Sequence, residues 1–166
     1  TIEPRKGHLQ VIDAFECLWD KNCSIKLVIV GKCGWMADNI VDRIRAHPEL
    51  NSRLIWLEGI SDEYLKKVYS VSTCLIAASY GEGFGLPLIE AAQHKLPIIA
   101  RDIPVFREVA GKHAFYFSEA SADGLAGAIE EWIGLHATGT HPKSDAMRWM
   151  TWAQSSRSLL TQIGLS

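Results

Sequence analysis

Short apolar runs alternate with helical patterns along the whole chain, and this alternation strongly limits the fold. Leu9, Ile12, Phe15 and Trp19 recur at helical spacing after Gly7, and an apolar run with strand character follows them. The same alternation predicts strands at 25–30, 53–57, 73–78, 97–100 and 114–117, and helices at 36–46, from 61, at 88–95, from 104, at 121–135 and after 142. Strands that alternate with helices form parallel sheets covered on both faces. The sequence therefore predicts a doubly wound α/β domain spanning residues 1–166.

Composition excludes several classes of protein. The 166 residues are 48% apolar and 22% charged, as in ordinary soluble domains, and the net charge of −2 gives no basic footprint for nucleic acid. No apolar run approaches the ~20 residues that span a bilayer. The four cysteines form no C-x-x-C pair, so reduced thiols in a cytoplasmic protein are predicted.

The segment 82–90, EGFGLPLIE, is the richest in chemical information. It places Glu82 and Glu90 around a glycine-rich turn, with a predicted strand before it and a predicted helix after it. Backbone N–H groups at the start of a helix suit phosphate, whereas carboxylates repel phosphate and accept hydrogen bonds from hydroxyl groups. This combination of a phosphate cradle with hydroxyl acceptors fits a sugar nucleotide.

The spacing of Glu82 and Glu90 resembles the E-x7-E motif of retaining GT-B glycosyltransferases, in the form typical of glycosyltransferase family four. Further segments resemble that family in order and spacing: 3–7 (EPRKG), 28–35 (VIVGKCGW), 59–65 (GISDEYL), 104–111 (PVFREVAG) and 150–155 (MTWAQS). The match covers nearly the whole chain, but only one half of such an enzyme. The resemblance implies the C-terminal, donor-binding, Rossmann-like domain of a GT-B fold.

The resemblance also implies roles for particular residues. Glu82 is expected to bond hydroxyls of the donor sugar near its anomeric carbon, and Glu90 to hold the ribose hydroxyls. Lys6 would offer a cation to the diphosphate, with Arg5 as a helper, so Glu82 and Lys6 are the expected catalytic residues. The expected donor-binding residues are Arg5, Lys6, Glu82, Gly83, Phe84, Gly85, Leu86 and Glu90, of which Phe84, Gly85 and Leu86 would use backbone N–H groups.

The charged residues also have simpler interpretations. Arg5 and Lys6 would then form a solvated pair before a helix, Glu82 would be a turn residue, and Glu90 would be a charge in the first turn of a helix, where the macrodipole favours it. Many family members carry an arginine directly after the first strand, where Thr1 stands here. We therefore expect weaker neutralisation of the diphosphate, or its assignment to Arg5.

The start of the chain departs from the family in a second way. A strand ending in glycine is expected before Thr1, at the centre of the order 3-2-1-4-5-6. A sheet without its central strand would leave backbone groups unpaired. We therefore expect that residues of the domain precede Thr1, together with an N-terminal acceptor domain.

The function implied is transfer of a hexose, with mannose expected, from a nucleotide-diphosphate sugar such as GDP-mannose to a glycan or lipid-linked acceptor. The resemblance implies retention of anomeric configuration, no cofactor and no metal, and peripheral contact with the inner face of the membrane in a longer protein. The isolated domain is expected to turn over little. Two alternatives remain: a non-catalytic sugar-nucleotide-binding module, and another GT-B enzyme such as a glycogen-synthase-like transferase. An NAD-binding fingerprint is not present at Gly31–Gly34.

Overall fold

The computed structural model describes residues 1–150 and 152–164. The segment 150–155, which resembles the family, is therefore described except for Thr151. Five strands alternate with seven α-helices in that part of the chain. The strands are β1 Leu27–Val30, β2 Leu54–Leu57, β3 Leu75–Ala77, β4 Ile98–Arg101 and β5 Phe115–Phe117. The helices are α1 His8–Asp20, α2 Asp38–Arg45, α3 Asp62–Val71, α4 Leu86–Gln93, α5 Pro104–Ala110, α6 Ala122–Ala137 and α7 Trp152–Gln162, and short 3₁₀ turns lie at Pro4–Lys6 and Gly111–His113.

All strand pairs are parallel, but they form two sheets in place of the single sheet predicted. One sheet pairs β1 with β2, from Leu27 opposite Leu54 to Val30 opposite Leu57. The other has the order β3-β4-β5, with Ile99 opposite both Ile76 and Phe115. In the described part of the chain, no strand pairing joins the β1-β2 sheet to the β3-β4-β5 sheet.

Helices cover both faces of the β3-β4-β5 sheet, as a doubly wound fold requires. Because side chains alternate along a strand, Ile99 of β4 packs into one core with α1, α2 and α6, whereas Ile98 and Ala100 pack into a second core with α4 and α5. Burial on both faces leaves Ile98, Ile99 and Ala100 fully inaccessible. The predicted doubly wound α/β fold is confirmed.

Several predicted boundaries move by a few residues for local reasons. The helix predicted to start at Met36 starts at Asp38, since Met36 has a φ of 52°, which an α-helix cannot accommodate. The motif helix spans Leu86–Gln93, shifted toward the motif, because Gly85 ends the loop with a φ of 83° and Lys95, with a φ of 56°, ends the helical path. The predicted Ser61 cap of α3 is confirmed, with Oγ accepting from Tyr64 N at 3.3 Å.

The first seven residues cross the carboxyl edge between the two sheets. Ile2 continues the β1 side: its N–H donates to Lys32 O at 2.8 Å, and its carbonyl accepts from Gly34 N at 3.0 Å. On the β3 side, Tyr80 N donates to Arg5 O at 2.8 Å. The N-terminal segment thus joins the two sheets at this edge. Among the described residues, no helix has the length and apolar character needed to cross a bilayer.

Candidate functional site

Two loops from opposite ends of the sequence meet at the carboxyl edge of the strands. One is the Pro4–Gly7 turn, and the other, residues 78–85, runs from the end of β3 to the start of α4. Gly7 has a φ of 73°, and a Cβ there would lie 2.3 Å from Ala78 O, so only glycine permits this approach. The carboxyl edge is where open α/β sheets bind ligands. The structure therefore brings the two predicted parts of the site together.

Glu82 is held by one contact from each loop. Ser79 Oγ donates to Glu82 Oε1 at 2.9 Å, and Arg5 Nη1 donates to Oε2 at 3.0 Å. Arg5 Nη1 also reaches Gly81 O at 3.2 Å. Only 14% of the Glu82 side chain is exposed, which makes it more than the solvated turn residue of the simpler interpretation. Both carboxylate oxygens therefore accept hydrogen bonds from the protein.

Arg5 is occupied by carboxylates in this structure. Besides Glu82, its Nε donates to Glu3 Oε2 at 2.8 Å. The hydrogen bond and charge of Glu82 raise the pKa of Arg5, with a smaller contribution from Glu3. To bind the diphosphate together with Lys6, as predicted, Arg5 would have to release Glu3 or Glu82. Its observed role is to tie the Pro4–Gly7 turn to the motif loop.

Lys6, the next residue, is half-buried and has a free ammonium group. Within residues 1–150 and 152–164, nothing forms an ion pair or hydrogen bond with Lys6 Nζ. It lies in the last position of the 3₁₀ turn, directly before Gly7. An unpaired cation beside a neutralised arginine is the group best placed to meet an incoming anion.

The motif loop presents unused backbone donors at the start of α4. Gly85 caps this helix in the left-handed conformation, and Pro87 follows inside the first turn. In the described part of the chain, the N–H groups of Gly83, Phe84, Gly85 and Leu86 find no acceptor. Such groups, together with the helix dipole, bind anions. The predicted phosphate cradle is thus available for hydrogen bonding.

Glu90 is the fifth residue of α4, so its interpretation as a charge in the first turn is wrong. Tyr69 of α3 donates its hydroxyl to Glu90 Oε2 at 2.8 Å, and the Tyr69 ring stacks on His94 with centroids 5.3 Å apart. Burial and the neighbouring Glu90 carboxylate raise the pKa of Tyr69, so it remains a donor. Oε1 of Glu90 accepts no hydrogen bond from any described residue and is free for a ligand hydroxyl.

Three residues of this region were not identified from the sequence: Ser79, Tyr69 and Arg101. Ser79 and Tyr69 orient the two motif carboxylates, and Arg101 lies buried beneath the motif loop. Arg101 carried a usable signal, because a charged residue directly follows the apolar run 97–100 at the carboxyl edge. Ser79 and Tyr69 carried none, since serine and tyrosine are ordinary in a loop and on a helix.

A surface depression of about 480 Å³ lies between residues 108–113 and 146–148, away from both loops. Among the described residues, no three His, Cys, Asp or Glu side chains gather in a way that could hold a metal ion. Phe84 and Leu86 are 57% and 46% exposed, so the motif loop is open to solvent.

Comparison with known proteins shows the family of the chain. Residues 1–146 match the family "Glycosyl transferases group 1". The serotype-specific mannosyltransferase WbdA of Escherichia coli is 53% identical over 163 residues, which are 98% of this chain and 20% of that protein. The chain therefore spans about a fifth of the length of the curated relatives it matches first.

Solved structures agree on the fold. Anabaena Alr3699/HepE, in complex with UDP and glucose, superposes with a TM-score of 0.73 at 19% identity, over 98% of this chain and 45% of that one. The C-terminal domain of the group 1 glycosyl transferase LpcC from Francisella tularensis gives 0.72 at 20% identity, over 97% and 80%. The expected Rossmann-like half of a GT-B fold is confirmed. With its family match, its relatives and its motif loop in agreement, the chain belongs to the group 1 glycosyl transferases.

Proposed function

We propose that this chain is the donor-binding part of a retaining mannosyltransferase that takes a nucleotide-diphosphate sugar, GDP-mannose, as its donor. The observation that carries the proposal is the meeting of the Pro4–Gly7 turn with the motif loop. This contact joins the turn that carries Lys6, whose ammonium group is free, to the loop that carries the oriented Glu82 carboxylate and four free N–H groups. Mannose is proposed because WbdA is a mannosyltransferase.

Each group has a distinct task in this proposal. Lys6 and the N–H groups of Gly83, Phe84, Gly85 and Leu86 stabilise the departing diphosphate, whose negative charge grows in the transition state. Glu82 bonds hydroxyls of the donor sugar, and Glu90 bonds the ribose through its free oxygen. Arg5 stabilises the site by holding Glu82. No residue of the set needs a cofactor, and metal independence remains a prediction.

Retention allows two routes: double displacement through a covalent intermediate, or substitution on one face of the sugar. Glu82 is a poor nucleophile in this arrangement, because Ser79 and Arg5 occupy both of its oxygens. This supports same-face substitution, in which the departing phosphate helps to deprotonate the acceptor hydroxyl. The protein then contributes positioning and electrostatic stabilisation.

The acceptor, a glycan or a lipid-linked sugar, belongs in this proposal to a separate N-terminal domain. The open motif loop supports that arrangement, since the exposed Phe84 and Leu86 leave one side of the donor without a protein wall. The relatives, about five times as long as this chain, have room for such a domain. Without it, we expect donor binding with little turnover.

Calorimetric titration of the intact protein with GDP, UDP, GDP-mannose and UDP-glucose tests the proposal. GDP and GDP-mannose should bind in preference to the uridine nucleotides. Lys6→Ala and Glu90→Ala should each weaken binding roughly tenfold, equivalent to about 1.4 kcal/mol. Lys26→Ala and Glu131→Ala, which alter exposed residues before β1 and on α6, are the matched controls and should bind normally.

Three results would count against the proposal. Binding of none of the four compounds by a folded protein would remove the donor site altogether. Selective binding of UDP-glucose would leave a sugar-nucleotide site but overturn the choice of donor. Equal effects of Lys6→Ala and Lys26→Ala would show that the ammonium group does not meet the diphosphate.

A further inference from the structure

A buried arginine without a carboxylate partner lies beneath the candidate site. Arg101, the last residue of β4, is 6% exposed, and no described acid forms an ion pair with it. Its Nε donates to Ala78 O at 3.0 Å, its Nη2 donates to Gln10 Oε1, and its Nη1 lies 3.5 Å from Glu119 O. The guanidinium is also 4.2 Å from the centroid of the Tyr80 ring and 4.9 Å from that of Phe117.

Burying an unpaired guanidinium at this core position is energetically unfavourable. Burial lowers the pKa of Arg101, although an arginine keeps its charge in a protein. A charge taken from water without a counter-ion costs more than an apolar side chain of similar size. Packing alone therefore does not account for an arginine here. What the guanidinium adds is a planar fork that bonds several oxygens at once.

Two of the groups that Arg101 contacts, Ala78 O and the Tyr80 ring, belong to the motif loop of the candidate site. Ala78 and Tyr80 flank Ser79, which orients Glu82. Tyr80 N also donates to Arg5 O, and Gly7 packs on Ala78 O, so the same stretch supports the Pro4–Gly7 turn. Gln10 of α1 completes the connection, because its amide donates to Glu119 O and Ser121 O at 2.9 Å each.

We propose that Arg101 is a positioning residue for the donor site, fixing residues 78–80 so that Glu82 and the Pro4–Gly7 turn are in register before the nucleotide sugar binds. The inference rests on the proposed function. Arg101 itself does not touch the donor. It acts from below, by linking the ends of β3 and β5 to α1, and its loss should appear as lost preorganisation of the site.

The test compares Arg101→Lys with the unsubstituted protein, using the intact protein and GDP-mannose as the probe. Lysine keeps the charge but cannot bond Ala78 O, Gln10 and Glu119 O together. The dissociation constant for GDP-mannose should rise roughly tenfold, in keeping with the strong cost of small misplacements in a site. Arg53→Lys is the matched control, since Arg53 lies at the amino edge, paired with Glu49 and 5.1 Å from the Trp19 ring centroid.

Two further variants separate positioning from general loss of stability. Ile44→Val, in the last turn of α2, trims a fully buried side chain and should lower the melting temperature without changing donor affinity. Gln10→Met removes the acceptor of Nη2, and alone it should weaken GDP-mannose binding severalfold. Combined with Arg101→Lys it should add little, because residues that act through one contact are not additive.

The outcomes decide separately on the site and on Arg101. If the unsubstituted protein binds neither GDP-mannose nor UDP-glucose, the proposed function and this inference both fail. If it binds and Arg101→Lys binds equally well, or if the two substitutions multiply their effects, only the role of Arg101 is overturned. Should Arg101→Lys not fold, Gln10→Met alone decides, and unchanged affinity in that variant contradicts the inference.

Discussion

Tyr69 is the residue on which the direction of the Glu90 carboxylate depends. Its hydroxyl donates to Oε2 and leaves Oε1 for the ligand. Tyr69→Phe removes that donor while keeping the ring stacked on His94. Loss of one hydrogen bond to a charged group is worth about 1.5 kcal/mol, so affinity for GDP should fall roughly tenfold in a calorimetric titration.

Tyr64→Phe serves as the control for that prediction. Tyr64 lies on the same helix but is 49% exposed, and its hydroxyl should not influence the donor. Equal affinities of the Tyr69→Phe and unsubstituted proteins would mean that Glu90 needs no help to hold the ribose, or does not hold it.

His8, at the start of α1, gives the protein a dependence on pH. Burial lowers the pKa of His8 to about 4, from its ordinary 6.5, and its Nδ1 has no partner among the described residues. Between about pH 4 and pH 6.5, His8 binds a proton in the unfolded chain but not in the folded protein. The free energy of unfolding should therefore be highest above pH 6.5 and fall as the pH drops, by up to about 2 kcal/mol at pH 5.

Urea unfolding at pH 7.5 and pH 5 measures this loss. His8→Gln, which cannot titrate, should lose much less stability between the two values. Arg53 lowers the pKa of Glu49, and pairing with Thr1 and Arg5 lowers the pKa of Glu3, so these two carboxyls do not add to the loss in this window. Burial also lowers the pKa of His141, and its contribution is the same in both proteins. Equal losses in both proteins would show that His8 is not the group responsible.

The sequence indicated candidate site residues more readily than the residues that support them. Glu82, Glu90 and Lys6 stand in local segments that resemble the family, so they could be named from the sequence, and their roles toward a ligand stay predictions. The bond from Arg5 to Glu82 joins residues 77 positions apart, and that from Arg101 to Gln10 joins residues 91 apart. Contacts between residues so far apart in the sequence depend on the packed fold, so a local sequence pattern cannot predict them.

At the scale of elements, the close approach of the 3₁₀ turn to β3 should be the point least tolerant of substitution. Gly7→Ala puts a methyl group 2.3 Å from Ala78 O, so the turn and the strand end must separate. Gly139→Ala has a similar φ of 71° but nothing within 4 Å, and it should cost only the roughly 1 kcal/mol of left-handed strain.

Thermal unfolding and GDP-mannose titration of both variants check this expectation. Gly7→Ala should lose more stability than Gly139→Ala and should also bind the donor more weakly. If the two glycine variants behave alike, the contact with Ala78 O is not a constraint on the site.

The existence of the elements was predictable, whereas their ends were not. Apolar periodicity in residues 9–19 and the continuous apolar run at 97–100 follow directly from burial, and both predictions were right. The ends depend on Met36 and Lys95, which adopt positive φ although neither is a glycine. Neither side chain has a property from which a positive φ could be predicted.

For the whole molecule, the two-sheet arrangement predicts an uneven distribution of local stability. β4 is paired on both sides and its four residues are all buried, whereas in the described part of the chain β1 pairs only with β2. Hydrogen exchange followed by mass spectrometry should find β4 the slowest strand, with β1 and β2 faster by at least tenfold. Equal protection of β1 and β4 would show that something else covers the free edge of β1.

The unpaired strand edges of the two sheets also favour pairing with another polypeptide. In the described part of the chain, β1 pairs only with β2 and β3 pairs only with β4, so both are edge strands, and such edges recruit extended segments. We therefore expect copies of the protein to associate through these edges as the protein concentration rises. The fraction of monomer at increasing protein concentration is accordingly a practical assay of whether these strand edges are covered.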